Sequence, residues 1–255
     1  MVLSELIKVI PNSIIKKERL ETISRKENYI MNNLDLYAID SLTLYHGSYA
    51  EQLKPMYGKG KPYNDYGLGF YTTLDIEMAK EWAHTDSLKS GFVYEIELDV
   101  RDLTVFNYNT EPIYVWIAEL FKNRRDYFID KRLVDIDTFI ELYHKEVTSD
   151  LVFGWRADAS FYGIADLFLN GTIPYEEIYD YFHLGNQGNQ IMLKSSKAFE
   201  RIISVKNLGT VPYKYYEHYT TRAGLAVQQV YNETKFLTSS SKRTTFDHMV
   251  RYPYE

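Results

Sequence analysis

The chain has 255 residues, 45% hydrophobic and 25% charged, with no cysteine and a formal charge of 29 − 35 = −6. This is enough chain for one ordinary domain, or a domain with a small appendage, and it excludes a disordered or fibrous protein. Without cysteine there is no disulfide framework and no thiolate zinc site. The negative charge argues against nonspecific nucleic-acid binding but leaves room for a local basic groove.

No basic start followed by an apolar run opens the chain, and charge interrupts every long apolar stretch, so the expectation is a soluble, cytoplasmic protein without a signal peptide or membrane span. The 24 tyrosines suit strand faces, clefts and interfaces, where the ring packs and the hydroxyl stays wet. A biased genomic composition accounts for them equally simply.

Residues 1–40 read as two helical segments around Pro11, an N-terminal helical extension. From Leu42 the pattern is mixed α and β. Leu42 to Tyr45 forms a short strand running into His46-Gly47-Ser48. Asp75 caps a helix carrying Ile76, Ala79, Trp82 and Ala83 on one side. The alternation of Phe92, Tyr94, Ile96 and Leu98 marks a half-buried strand. Helices are expected from Pro112 to Arg125, from Asp137 to Val147, around Phe161 to Phe168 with a stop at Gly171, and from Pro174 to Leu184. Strands are expected at Leu151–Gly154, Gln190–Leu193 and Ile202–Val205, the second delivered by the turn-forming Asn186 to Asn189. Beyond Pro212 a helix is expected only from Ala223 to Tyr231, with a Ser/Thr-rich basic tail from Thr238 to Thr245.

The six histidines show no helical zinc spacing, and there is no acidic calcium loop, so no metal is expected. A phosphate loop, a dinucleotide fingerprint and a nucleophile elbow are likewise missing. Two segments remain. In Tyr45-His46-Gly47-Ser48, a histidine at a strand end can bond a ligand hydroxyl while the glycine permits close approach, although a turn histidine that satisfies backbone groups has the same sequence. In Asn64 to Thr73, Gly67 and Gly69 bring backbone near a ligand, and alternation puts one of Phe70 and Tyr71 in the sheet and leaves the other for stacking on a flat ring. An ordinary hairpin turn also fits.

Taken in order, Leu44-Tyr45-His46-Gly47-Ser48 and Gly67-x-Gly69-Phe70-Tyr71-Thr72-Thr73, with Ala79 and Trp82-Ala83 beyond, resemble the histidine and tyrosine motifs of the ADP-ribosyltransferase superfamily. The likeness is to a bacterial branch, the DUF3990 family. It continues through Trp116, Asn123-Arg124, Asp150 to Ala157 with Gly154, and Gln190-Ile191, spanning about residues 42–200. The resemblance implies an α+β fold of split, twisted antiparallel sheets with flanking helices and NAD held in the cleft as co-substrate.

The same resemblance assigns catalytic roles to His46, Tyr71 and Gln190. His46 holds ribose hydroxyls, Gly47 offers backbone groups to the nicotinamide carboxamide, and Tyr71 stacks on nicotinamide. Ser48, Gly69, Phe70 and Trp82 complete the implied NAD site. Gln190 departs from the family pattern, in which the third residue is commonly Glu: an amide hydrogen-bonds but adds no negative charge. Gln187 competes for that placement. Asp65 and Asp158 are supporting acids, with Asp158 suiting a helix cap equally well. Arg124 and Arg125 are either solvated helix-end cations or contacts for the pyrophosphate.

The expected organisation is thus a helical extension over 1–40, an ADP-ribosyltransferase-like domain over 41–210 and a C-terminal extension over 211–255. The implied activity is NAD-dependent mono-ADP-ribosyl transfer to a protein or nucleic acid, as a bacterial toxin or effector with an antitoxin partner. NAD hydrolysis and an inactive NAD- or ADP-ribose-binding module are the alternatives.

Overall fold

The computed structural model describes residues 40–84, 90–128, 132–157, 159–183, 188–234 and 243–253. The expected N-terminal helices, Asp158, Gln187 and most of the Ser/Thr tail lie outside these. Among the described residues seven strands form two open sheets. The first joins β1 (Ser41–Ser48), β3 (Gly91–Asp99) and β7 (Ile202–Val211) in the order β1-β3-β7. The second joins β2 (Phe70–Thr72), β6 (Asn189–Leu193), β5 (Leu151–Trp155) and β4 (Val105–Asn107) in the order β2-β6-β5-β4. The expected antiparallel pairing holds for β1–β3, β3–β7, β2–β6 and β5–β6, and needs correction only where β4 and β5 pair in parallel.

The sheets pack through one shared apolar layer. Leu44 of β1 and Ile96 and Leu98 of β3 meet Phe153 of β5 and Ile191 and Leu193 of β6. Strand alternation then turns Gln190 and Met192 to the other face of the second sheet. A larger core on that face contains Met192, Trp116, Trp155, Phe161 and Phe182.

Helices flank both sheets. Short α1 (Ile76–Trp82) is capped by Asp75, whose carboxylate accepts from Glu77 N–H at 2.8 Å. It buries Ala79 against Val93 and Val211. Next come α2 (Ile113–Asn123), α3 (Leu133–Tyr143), α4 (Ala159–Leu169), α5 (Tyr175–His183), the single-turn α6 (Ser196–Glu200), α7 (Lys214–Thr234) and α8 (Phe246–Arg251). Gly171, at φ +75°, follows α4. No helix among the described residues is long and apolar enough to cross a membrane.

Three expected elements have different bounds. Helix α3 begins before Asp137 and ends at Tyr143: Asp137 pairs with Arg125 from the preceding turn instead of capping, and His144 leaves the helix to bond Glu119 at 2.8 Å. Strand β7 runs on to Val211, paired with β3 along its length, and its exposed, largely polar middle conceals the strand in the sequence. Helix α7 begins nine residues before the expected Ala223. Tyrosines fasten its start: Tyr213 meets His84 edge-on at 5.4 Å, and Tyr215 packs against the Ala79 cluster.

Candidate functional site

Among the described residues the sheets are joined at one isolated bridge, and they part beyond it. Tyr45 donates its N–H to Thr73 C=O at 2.8 Å and accepts from Thr73 N–H at 2.9 Å. The two-residue repeat of a strand directs the N–H and C=O of Gly47 to this same edge, away from β3 and into the opening. On its sheet face Gly47 has no room for a side chain: a Cβ would stand 1.9 Å from Ala79 O and 2.6 Å from Ala83 N. The missing side chain lets α1 press onto β1 and close the floor of the opening.

A cleft of about 520 Å³ occupies the parting. His46, Gly47, Gly69, Phe70, Tyr71, Trp82 and Gln190 all line it. Ser48 does not; its Oγ accepts from Ala50 N–H at 3.1 Å and holds the following turn. Phe70 and Tyr71 were expected to divide between core and ligand face, yet both are half-buried and both border the cleft. The reason is that β2 is a three-residue edge at the split, so each ring has one side packed and one side open.

His46 Nδ1 lies 2.6 Å from Tyr71 C=O. Burial drives its pKa down to about 4 against the opposing pull of that bond, so the ring is neutral at pH 7. A carbonyl only accepts, which assigns the proton to Nδ1 and leaves Nε2 a lone-pair acceptor. Phe70 lies against the imidazole with ring centroids 4.7 Å apart.

The Tyr71 ring is held by its hydroxyl. That group donates to Gly67 C=O at 2.6 Å and accepts Tyr66 N–H at 3.0 Å. Burial, then the charge of Asp65, pushes its pKa well above the usual phenol range, so it remains a neutral anchor. Gly67 makes the turn possible through its φ of +78°. Tyr66 extends the scaffold by donating to Trp155 C=O at 2.6 Å and accepting Trp116 Nε1–H at 3.0 Å. Gly154 makes room for it, since a Cβ there would meet Tyr66 Oη at 2.3 Å.

At the back of the cleft, Asp65 is only 3% exposed. Its Oδ1 accepts from Arg124 Nη2 at 2.6 Å and Nε at 3.2 Å, and its Oδ2 from Ala157 N–H at 2.9 Å and Gln190 Nε2 at 2.7 Å. Arg124 therefore faces inward on a carboxylate and is not a solvated helix end. Burial pulls its pKa down, but the charge and hydrogen bonds of Asp65 outweigh this and raise it.

The lining also contains cations that the sequence reading did not place at a site. Arg156 is held by Glu81 at 2.8 Å and lies over the rings of Trp82 (5.5 Å) and Tyr219 (4.3 Å). Glu81 also binds Arg222 of α7 at 2.8 Å, so that helix is tied to the cleft wall. Lys54, Lys59 and Lys61 stand exposed at the rim. The five cations of the lining face one carboxylate, Asp65, in a chain whose formal charge is −6. The acid-free stretch from Gln52 to Asn64, with its three lysines, was the available signal for the rim. Tyr219 had none, being 63 residues beyond Arg156 in the chain. Among the described residues no group of three or more His, Asp or Glu side chains could hold a metal ion.

A family model described as "Protein of unknown function (DUF3990)" matches residues 42–203. No curated protein and no solved structure matches the chain. Helix α7, which supplies Tyr219 to the cleft, lies beyond the matched segment.

Proposed function

The chain belongs to the DUF3990 family, and on that footing we propose that it is an NAD-dependent mono-ADP-ribosyltransferase that acts on a macromolecule. The observation that carries this reading is the parting of the two sheets beyond Tyr45 and Thr73, where His46, Gly47, Tyr71 and Gln190 meet in one cleft. Its volume falls within the range of roughly 300–1,000 Å³ common for cofactor-sized ligands. Its surplus of cations suits a pyrophosphate, for which Lys54, Lys59, Lys61 and Arg156 are the candidates.

Each group has a role that its geometry supports. The N–H and C=O of Gly47 complement the C=O and NH₂ of a carboxamide. The anchored ring of Tyr71 offers a face for nicotinamide, and His46 Nε2 accepts from a ribose hydroxyl. Holding nicotinamide and ribose separately favours lengthening of the bond between them, and a sugar approaching an oxocarbenium ion is then presented to the nucleophile. Transfer to a side chain or nucleic-acid group gives the modified acceptor; transfer to water gives hydrolysis.

The neutrality of Gln190 favours a second reading, a module that binds NAD or ADP-ribose without turnover. The deciding experiment incubates the purified protein with NAD, measures nicotinamide release and analyses protein and nucleic-acid fractions by mass for added ADP-ribose. Nicotinamide release with a labelled macromolecule supports transfer. Saturable NAD binding without release supports the binding module, and neither binding nor release removes both.

A further inference from the structure

Gln190 offers the cleft only an acceptor, and Asp65 is what makes this so. Both hydrogens of the Gln190 amide are engaged: Nε2 donates to Asp65 Oδ2 at 2.7 Å and to Trp155 C=O at 3.3 Å. A carboxylate and a carbonyl can only accept, so the amide cannot rotate end for end without setting oxygen against oxygen on two sides. Its Oε1 is left as the polar atom available to a ligand. Asp65 is itself held on both oxygens, by Arg124 and by Ala157 N–H, and it cannot swing to follow a rotated amide.

We propose that Asp65 is a positioning residue which locks the Gln190 amide with Oε1 toward the ligand, so that a glutamine serves as the fixed acceptor for a ribose hydroxyl. The substrate part of this inference rests on the function proposed above; the lock itself does not. Asp65 acts here through its bond to Gln190 and is assigned no part at the reacting atoms. Its buried charge also excludes the simplest repair of the neutral third residue, because Gln190→Glu places a second carboxylate at hydrogen-bond distance from the first.

The test compares wild type, Asp65→Asn, Gln190→Glu and the exchanged double variant Asp65→Asn/Gln190→Glu, which restores one amide and one carboxylate. Asp65→Asn is expected to lower kcat about 100-fold while NAD affinity stays within about threefold, the signature of an interaction used in the transition state. Gln190→Glu is expected to lower Tm, and the exchanged pair to exceed Gln190→Glu in Tm and both single variants in kcat by at least about tenfold. A merely structural Asp65 would lower Tm without changing kcat per folded molecule. That result, or strictly additive effects in the double variant, overturns the proposal.

If the wild type does not cleave NAD, whether or not it binds it, the proposed function has failed and the lock is read directly. The Gln190 side-chain amide should show slow hydrogen exchange in wild type and fast exchange in Asp65→Asn. Equal protection in both overturns it.

Discussion

His46 Nδ1 and the carbonyl of Tyr71, 25 residues apart in sequence, lie 2.6 Å apart across the point where the two sheets separate. This bond does two things: it holds the edges of the cleft at a set distance, and it assigns the imidazole tautomer. With burial lowering its pKa to about 4, His46 acts as a neutral acceptor over the whole physiological range.

A pH dependence follows. Between the ordinary value of about 6.5 and about 4, the unfolded chain takes up a proton at residue 46 that the folded chain refuses. Stability is therefore full above 6.5 and is lost as pH falls toward 4. Urea denaturation of wild type and His46→Gln at several pH values should show a shallower loss in the variant across this window. Ligand affinity should be flat from pH 8 to 5.5. An imidazole resonance of His46 titrating near 6.5 would contradict both expectations.

Tyr71→Phe and Tyr71→Ala should separate the hydroxyl from the ring. The phenylalanine variant loses the bonds to Gly67 C=O and Tyr66 N–H, costing about 1–3 kcal/mol of stability, with turnover kept within about tenfold. The alanine variant also loses the stacking face and should fall on the order of 100-fold in kcat/KM. Urea denaturation and initial rates check the pair, and equal rates in both variants would remove the stacking role.

Gly47→Ala should be among the most damaging single-methyl changes in the protein. Its Cβ would meet backbone atoms of α1, which cannot rotate away as a side chain can. A stability loss above about 2 kcal/mol is expected, together with loss of NAD binding, measured by thermal denaturation and titration. A wild-type Tm would mean that α1 sits farther from β1 than described.

The contact of Tyr219 with Arg156 in the cleft lining should govern binding more than chemistry. Removing a half-exposed cation–π contact of about 1 kcal/mol by Tyr219→Ala predicts a KM for NAD raised roughly fivefold, with kcat within about twofold. Steady-state kinetics decide this, and a kcat loss with unchanged KM would place Tyr219 at the reacting end.

Much of the local structure was legible because its causes lie within a few residues. The alternation from Phe92 to Leu98 requires a strand with one apolar face, and β3 runs over Gly91–Asp99. Asp75 stands just ahead of an apolar side and caps α1, and Gly171 follows α4 in the positive-φ backbone that glycine adopts without strain. The segments around His46 and Tyr71 stood out by their glycines and strand ends, but the roles proposed for His46, Tyr71 and Gln190 came only through family resemblance, since their own neighbourhoods suit a turn or core residue equally well. What joins them was decided in three dimensions. Asp65 meets Arg124 and Gln190 across 59 and 125 residues, Asp137 was claimed by Arg125 instead of a helix end, and Tyr219 was brought to the cleft by the Glu81–Arg222 pair. Periodicity and capping record the forces acting along the chain, whereas a buried carboxylate takes whichever donors the packed sheets and helices bring to it, and only the tertiary structure names them.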